Sequence, residues 1–210
     1  MDHATVVLLV RHGLTPTTGV KLPGRARGLH LSDEGKRQAD GLVARLGNIA
    51  KLGPVYASPL ERACETAAPL ARARNRAVRV EPGLLELEIG DWTGLSLKQA
   101  GHKPEWKVVQ QHPSGFRFPG GESFVEMQTR ITGALERLVT RHRGEIVVAV
   151  SHADPIKAAV AHALGTPLDL FQRIMIAPAS VSAIAYRPAG VSVLTVNSMD
   201  GDVAALIGKR

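Results

Sequence analysis

TVVLLVRHG, residues 5–13, is the stretch of this sequence that decides the fold. Thr5 to Val10 is an unbroken apolar run rich in valine, which is typical of a strand buried on both faces of a parallel sheet. The run stops abruptly at Arg11 and His12, and a loop rich in glycine and proline follows. We therefore predict a central strand whose carboxyl end carries a histidine.

A second strand of the same kind, Ile146 to Val150, ends at Ser151 and His152. Ligands of open α/β sheets bind beyond the carboxyl ends of the strands. If these two strands are neighbours, both histidines point into one crevice. His152 also precedes a predicted helix, whose first free N–H groups attract an anion. A single histidine at a strand end is more often structural, so the functional interpretation depends on the pair.

Further helices and strands are predicted around these two strands. The helices are expected at about residues 33–52 behind the cap Ser32, from the start Ser58-Pro59-Leu60-Glu61, at about 124–143 behind the capping pair Ser123 and Glu126, and at about 153–164. The further strands are Val55–Ala57, Val78–Val80, Val181–Tyr186 and Val191–Val196. Strands that alternate with helices predict a three-layer α/β/α fold with a mostly parallel central sheet. We expect a single domain over 1–210, with a lid-like insert at about 87–120.

The composition excludes several classes of protein. The chain has 210 residues and a single cysteine, Cys64, so no internal disulfide is expected and a reducing cytoplasm is the simplest location. No signal peptide and no apolar stretch long enough to cross a membrane are visible. The net charge of +7 accompanies an aromatic content of only 4%, without basic segments interleaved with aromatics, so nucleic acid is not expected as a partner. The arginines at positions 72, 74, 76 and 79 are interpreted as a solvated helix end.

Two arginines are expected beside the two histidines. Arg11 precedes His12, and Arg62 follows the helix start at Ser58. Two arginines, two histidines and a helix N-terminus that converge would form a phosphate cradle, because guanidinium groups bind phosphate oxygens through charge-assisted hydrogen bonds. The excess positive charge also favours a small anionic substrate, and a small phosphorylated metabolite is the expected partner.

Six segments, in this order along the chain, resemble the signature of the histidine phosphatase superfamily, branch 1, also called the phosphoglycerate mutase-like group. They are LLVRHGLT (8–15), LSDEGKRQA (31–39), YASPLERACETA (56–67), LLELEIGDWTGL (84–95), PGGESFVEM (119–127) and VVAVSHADPIKAAV (147–160). The pieces SHADPIKAA and DLFQRI also resemble an actinobacterial subgroup described as phosphomutases. The resemblance implies a phosphoglycerate mutase-like fold and phosphoryl transfer through a phosphohistidine.

Residue by residue, the resemblance implies that His12 attacks phosphorus and carries the phosphoryl group. Arg11, Arg62 and His152 would bind the three equatorial oxygens, and Glu86 would protonate the leaving oxygen. Glu88 and Asp91 are rivals for the acid that spacing does not exclude. Thr15 and Thr18 are implied as further hydrogen-bond donors to the phosphate.

Two positions depart from the family pattern. Many members have asparagine where this chain has Thr18, and the glycine that usually follows the second histidine is replaced by Ala153, with Asp154 next to it. Asp154 is interpreted as a first-turn acid that is favoured by the helix dipole and points away from the site. The alternative is a contact to a cationic or hydroxyl-rich substrate.

The resemblance favours hydrolysis of a small phosphomonoester. A phosphomutase of the cofactor-dependent phosphoglycerate mutase type is the alternative, although no adjacent pair of cations lies between Glu86 and Pro119. A non-catalytic phosphate-binding module is a third hypothesis, and it conflicts with the presence of both His12 and Glu86. Dimeric members of the family allow a homodimer.

No metal and no cofactor are expected, because no metal-ligand motif such as HExxH occurs in the sequence. His102, His112, His142 and His162 are interpreted as surface residues. Ser58 and Ser123 are interpreted as helix caps, and Trp92 and Trp106 as packing residues of the insert that could also line the mouth of a pocket.

Overall fold

A computed structural model describes residues 4–201 and 203–207 of the chain. Its strands are β1 (Thr5–Arg11), β2 (Leu52–Ala57), β3 (Arg79–Val80), β4 (Ile146–Ser151), β5 (Val181–Arg187) and β6 (Gly190–Ser198). They form one sheet in the order β3-β2-β4-β1-β5-β6. The pairs β3·β2, β2·β4 and β4·β1 are parallel, which confirms the prediction of a mostly parallel sheet.

The last two strands run differently from the first four. β5 is antiparallel to β1, and β6 is antiparallel to β5. β5 and β6 are joined by only two residues, Pro188 and Ala189, and a connection this short permits only an antiparallel pair. The sheet is therefore mixed. Its parallel part contains β1 and β4, the two strands that are followed by the histidines.

Helices cover both faces of the sheet. The helices are α1 (Asp33–Leu46), α2 (Glu61–Ala73), α3 (Leu97–Gly101), α4 (Trp106–Gln111), α5 (Phe124–Arg141), α6 (Ala153–Leu164) and α7 (Val203–Ile207). Alternate residues of β1 belong to different cores, because successive side chains of a strand point to opposite faces. Val7 and Leu9 pack in the core that contains α5 and α6. Val6, Leu8 and Val10 pack in the core that contains α1 and α2. The predicted three-layer α/β/α architecture is confirmed.

Two predicted helix boundaries are wrong. α1 ends at Leu46 rather than near Leu52, because the chain turns after Gly47 and Leu52 pairs with Ile146 of β4. α2 begins at Glu61, and its N-cap Leu60 makes no side-chain cap. The predicted bounds of α6 are confirmed, and so is the capping box of Ser123 and Glu126.

The segment between β3 and α5 consists of short helical turns around an aromatic cluster. Trp92 is 2% exposed and stacks on Trp106 with ring centroids 6.3 Å apart. Trp92 also meets Phe118 edge to face at 5.1 Å, so the prediction that the tryptophans pack within this segment is confirmed. Gly90 has a φ of 47°, and a Cβ there would lie 2.0 Å from the Pro119 carbonyl oxygen, so this tight crossing requires glycine.

His142 is not the surface residue that the sequence analysis predicted. Its side chain is only 9% exposed, and Nε2 lies 2.9 Å from the Tyr56 hydroxyl. The position follows α5 directly, where the chain turns inward to begin β4.

Among the residues that the structure describes, no helix is long and apolar enough to cross a membrane.

Candidate active site

The two histidines at the strand ends lie side by side. β1 and β4 are neighbours, with Arg11 opposite Ser151, and the His12 amide donates to the Ser151 carbonyl at 3.0 Å. The ring centroids of His12 and His152 are 5.1 Å apart, and the rings meet edge to face at 62°. His12 is 5% exposed and His152 is fully buried. The predicted crevice beyond the carboxyl ends of the strands therefore brings both imidazoles together.

The surroundings of His12 keep one ring nitrogen free of a proton. Nδ1 lies 2.8 Å from the Gly13 carbonyl oxygen, which can only accept, so Nδ1 carries the proton and Nε2 keeps its lone pair. Burial, together with the positive charges of Arg62 and Arg11, lowers the pKa of His12 to about 3. His12 is therefore neutral near pH 7, and its Nε2 can act as a nucleophile.

His152 is held by Ser58, which sequence reasoning assigned to a helix cap. The Ser58 amide donates to the Val150 carbonyl at 2.9 Å, so Ser58 extends the β2·β4 pairing instead of starting α2. Its hydroxyl lies 2.8 Å from Nε2 of His152 and accepts only a long contact of 3.4 Å from the Leu60 amide. Burial lowers the pKa of His152, with the charges of its neighbours acting in the same direction, so the ring is neutral.

Two arginines bring unpaired donors to the same place. Arg62 is fully buried, and one of its Nη atoms donates to the Gly24 carbonyl at 2.9 Å, while Nε and Nη1 are buried without a partner. Arg11 donates to the Ile176 carbonyl at 2.7 Å and leaves Nε unpaired. Nδ1 of His152 is also buried without a partner. Buried donors are normally satisfied, so this group is suited to an anion with several oxygens.

The loop after His12 is fastened to the helix that carries Arg62. The Thr66 hydroxyl accepts from the Gly13 amide at 3.0 Å and donates to the Arg62 carbonyl at 2.7 Å. Gly35 of α1 approaches the same loop so closely that a Cβ would lie 2.0 Å from the Leu14 carbonyl oxygen. These contacts hold the histidine loop against both α2 and α1.

Glu86 is the carboxyl group that lies against the histidine pair. Its Oε2 is 4.0 Å from Nδ1 of His152, and its Oε1 accepts from the Leu87 amide at 2.9 Å. Burial first, and then the negative charge of Asp154, raise the pKa of Glu86 to about 7, although Arg62 and Arg11 oppose the shift. Glu86 can therefore hold a proton near neutral pH. Its rival Glu88 lies 3.7 Å from Arg25 instead.

The backbone of Glu86 is anchored by residues that the sequence analysis did not single out. Arg25 donates to the Glu86 carbonyl at 2.7 Å, and Arg130 donates to it at 3.2 Å. Both guanidinium groups also bind Glu122, at 2.8 Å each. Arg130 further donates to the Gly83 and Leu85 carbonyls, so it fastens the whole approach to Glu86. No local motif marks such long-range contacts.

Thr15 and Thr18 hydrogen-bond one another. Their hydroxyls are 3.0 Å apart, and the Thr15 amide donates to the Thr18 hydroxyl at 3.0 Å. The Thr18 amide closes the same turn on the Thr15 carbonyl at 3.1 Å. The pair stabilises the loop after His12. These bonds do not test the contact to phosphate that the resemblance implies, which stays a prediction.

Asp154 lies in the first turn of α6, with Oδ1 3.2 Å from the Lys157 ammonium. Its charge nevertheless acts on Glu86 and on Arg11. The interpretation that Asp154 points away is therefore incomplete, because its carboxylate influences the candidate acid.

In the part of the chain that the structure describes, no three His, Cys, Asp or Glu side chains are placed to hold a metal ion.

Comparisons with known proteins place this geometry in a family. A sequence model of the histidine phosphatase superfamily (branch 1) matches residues 7–199. The chain is similar to phosphoserine phosphatase 1 of Hydrogenobacter thermophilus, with 34% identity over 91% of this chain and 91% of that protein. It is also 34% identical to the metal-independent phosphoserine phosphatase of Arabidopsis thaliana, over 75% of this chain and 68% of that protein.

Solved structures agree with the fold. The mycobacterial glucosyl-3-phosphoglycerate phosphatase has a TM-score of 0.84 at 25% identity, with 93% of this chain and 100% of that chain covered. The chain spans about half the length, 54%, of some curated mycobacterial relatives that it matches.

Proposed function

This chain belongs to the histidine phosphatase superfamily, branch 1, and from that premise we propose that it hydrolyses a small phosphomonoester through a phosphohistidine on His12. The observation that carries the proposal is the neutral His12, with a free Nε2, beside buried donors that have no acceptor. Phosphoryl transfer depends on positioning and charge stabilisation more than on any other effect, and this site supplies both.

In the first step, Nε2 of His12 attacks phosphorus and the bond between phosphorus and the leaving oxygen breaks. Arg11, Arg62 and Nδ1–H of His152 donate to the three equatorial oxygens, where negative charge is concentrated. The proton of Glu86 passes to the leaving oxygen, so the alcohol departs neutral and Glu86 becomes a carboxylate. A protonated Glu86 beside His152 is what this step requires.

In the second step, water attacks the phosphohistidine and the P–N bond breaks. The Glu86 carboxylate takes a proton from the attacking water, which returns both Glu86 and His12 to their starting forms. Inorganic phosphate leaves the donors that held it. The same carboxyl group thus serves as acid and then as base, which a pKa near 7 allows.

A phosphatase is favoured over the phosphomutase alternative by the cations between Glu86 and Pro119. Lys103 lies over the Trp92 ring at 5.4 Å, and Arg117 is paired with Glu126. The other two cations of this segment, Lys98 and Lys107, are not adjacent to either of these, so the segment lacks the pair of cations that the family resemblance implies for the carboxylate of a mutase substrate. The resemblance to the phosphomutase subgroup stays a prediction.

The experiment that tests the proposed function is a screen for phosphate release from phosphorylated metabolites, with excess EDTA as a second condition. Phosphoserine is the first substrate to test, because two relatives carry that activity in their names. We expect phosphate release that EDTA does not reduce, since the positive charge comes from arginines. Isomerisation of a phosphoglycerate without phosphate release would support the mutase, and activity that EDTA removes and Mg²⁺ restores would contradict the mechanism.

Ser58→Ala is expected to lower kcat by about 10–100-fold, a smaller loss than the about 10²–10³-fold that follows removal of a charge-stabilising donor itself. The mechanism requires a proton on Nδ1 of His152, which leaves Nε2 to accept from the Ser58 hydroxyl at 2.8 Å, so Ser58 favours the required tautomer. Steady-state kinetics should show a larger change in kcat than in KM. Ser123→Ala is the matched control, because that serine is a genuine cap: it should lower stability by about 1 kcal/mol and leave kcat unchanged. Equal kinetics for both variants would refute the role of Ser58.

Asp154→Asn is expected to move the basic limb of the phosphorylation step to lower pH. Glu86 must be protonated in this step, so the rate falls as the pH rises through the pKa of Glu86, about 7. Asp154 raises that pKa, and its removal lowers it. The measurement is a pH profile of single-turnover release of an alkyl alcohol, with Asp33→Asn on α1 as the control. A limb that stays in place, or that moves upward, would contradict the coupling.

The remaining expectations concern assembly and location. We retain the homodimer, the cytoplasmic location and the lid-like action of residues 87–120 as predictions. Light scattering of the purified protein tests the first of these.

A further inference from the structure

A cavity of about 470 Å³ opens near the amino ends of β2 and β4, whereas the two active-site histidines follow the carboxyl ends of β1 and β4. β4 spans six residues between Glu145 and His152, so its two ends are roughly 20 Å apart. Gly53 and Pro54, near the start of β2, contribute to the lining. We call this feature the basic cavity, because its other lining residues include Lys51, Arg76, Arg79 and His142. Glu145 is the one acidic residue among the described residues that line it.

Each of the three cations is presented by a fixed piece of backbone. Lys51 has a φ of 62°, a conformation that is uncommon for residues other than glycine. Arg76 follows Asn75, at φ 51°, in a turn that the Arg76 amide closes on the Ala71 carbonyl at 2.9 Å. Arg79 begins β3 and donates to the Tyr56 hydroxyl at 3.3 Å, with its guanidinium 5.8 Å from the centre of the Tyr56 ring.

The cations of the basic cavity are not neutralised by the part of the chain that the structure describes. Among the other exposed arginines, Arg37 and Arg137 have carboxylate partners in Glu34 and Glu81, whereas Arg72, Arg141 and Arg187 have none among the described residues. Within 4.0 Å of Lys51, Arg76 or Arg79 there is likewise no described carboxylate, and these three cations line one cavity. Glu145 lies 3.5 Å from Nδ1 of His142 instead. The sequence interpretation of this region as a solvated helix end does not account for the cavity.

We propose that the basic cavity binds a compact anion that carries at least two phosphoryl groups, at a site separate from the catalytic one. Three exposed cations that line one cavity favour an anion with more than one negative charge, and arginine guanidinium groups match phosphate oxygens in geometry. The volume falls within the range of small-ligand pockets, about 300–1,000 Å³. His142 also lines the cavity, with Nε2 on the Tyr56 hydroxyl to which Arg79 donates and Nδ1 3.5 Å from Glu145, so its ring reports on the site and does not bind the anion.

The test is calorimetric titration with tripolyphosphate in a His12→Ala/Arg62→Ala background, which removes turnover and the catalytic phosphate site. We expect one bound anion per chain. Adding Arg76→Gln/Arg79→Gln should weaken binding by about tenfold or more, because two charge-assisted contacts are lost. Adding Arg37→Gln/Arg187→Gln lowers the net charge equally and should leave binding unchanged. No binding in the background protein, or equal weakening by both pairs, would overturn the proposal.

A second measurement does not need the Arg62→Ala substitution. In His12→Ala alone, tripolyphosphate should bind at two sites, and Arg76→Gln/Arg79→Gln should reduce them to one. The NMR signals of the His142 ring should shift with the anion in His12→Ala and stay still in the arginine variant. With His12 restored, Arg76→Gln/Arg79→Gln should keep the native phosphatase activity. Unmoved His142 signals, or loss of activity in that variant, would contradict a separate site.

Discussion

His12→Ala is expected to lower kcat by about 10⁴-fold or more, because removal of a covalent nucleophile leaves only binding and charge stabilisation. The loss should not come from unfolding. His12 follows β1 instead of belonging to either apolar core, and its ring contacts are a backbone carbonyl and a second imidazole. The measurements are steady-state turnover of phosphoserine and of nitrophenyl phosphate, together with thermal unfolding of both proteins.

His142→Ala is the matched control for a buried histidine. His142 lies just before the amino end of β4 and is hydrogen-bonded to Tyr56. Its removal should therefore lower the midpoint of thermal unfolding and leave kcat unchanged. Turnover by His12→Ala at near the native rate would show that another group attacks phosphorus. A large fall in unfolding temperature for His12→Ala would show that its loss of activity has a structural cause.

Glu86→Gln is expected to slow transfer from alkyl phosphates far more than transfer from nitrophenyl phosphate. An alkyl phosphate would leave as an alkoxide and needs a proton, whereas nitrophenolate is stable as an anion. General acid catalysis is commonly worth about 10²–10⁴-fold, which sets the expected difference between the two substrates. Because Glu86 also serves the second step, the measurement is the single-turnover burst of the leaving group, not the steady state.

Glu88→Gln and Asp91→Asn are the controls for this assignment. Glu88 follows Glu86 by two residues, and its carboxylate lies 3.7 Å from Arg25. Asp91 lies at the crossing of the chain near Gly120. Equal slowing of both bursts by Glu86→Gln, or a selective loss in either control, would mean that Glu86 is not the acid.

The parts of this molecule that local pattern determines could be predicted from the sequence. β1 and β4 are unbroken apolar runs, since strands buried on both faces leave no room for polar residues. The capping box at Ser123 is contained within four residues, so the start of α5 could be placed directly. The juxtaposition of His12 and His152 followed once the two strands were taken as neighbours.

Features that depend on distant contacts could not be predicted in this way. Ser58 has the sequence context of a helix cap, yet its amide pairs with β4 and its hydroxyl turns to His152, 94 residues away. Arg130 anchors Glu86 across 44 residues and has no local signal. The same holds for His142, whose ring is hydrogen-bonded to Tyr56, 86 residues away. Each of these side chains is positioned by the packing of strands and helices that are far apart in the sequence.

The most direct test of the central claim is to trap the covalent intermediate. Native protein is mixed briefly with substrate, quenched with alkali and digested, and the peptide that contains residues 5–24 is examined by mass spectrometry for a phosphoryl group. The mechanism predicts an acid-labile, alkali-stable phosphohistidine on His12 that is absent from His12→Ala. An acid-stable phosphoryl group on a serine or threonine, or a modified His152 with unmodified His12, would contradict it.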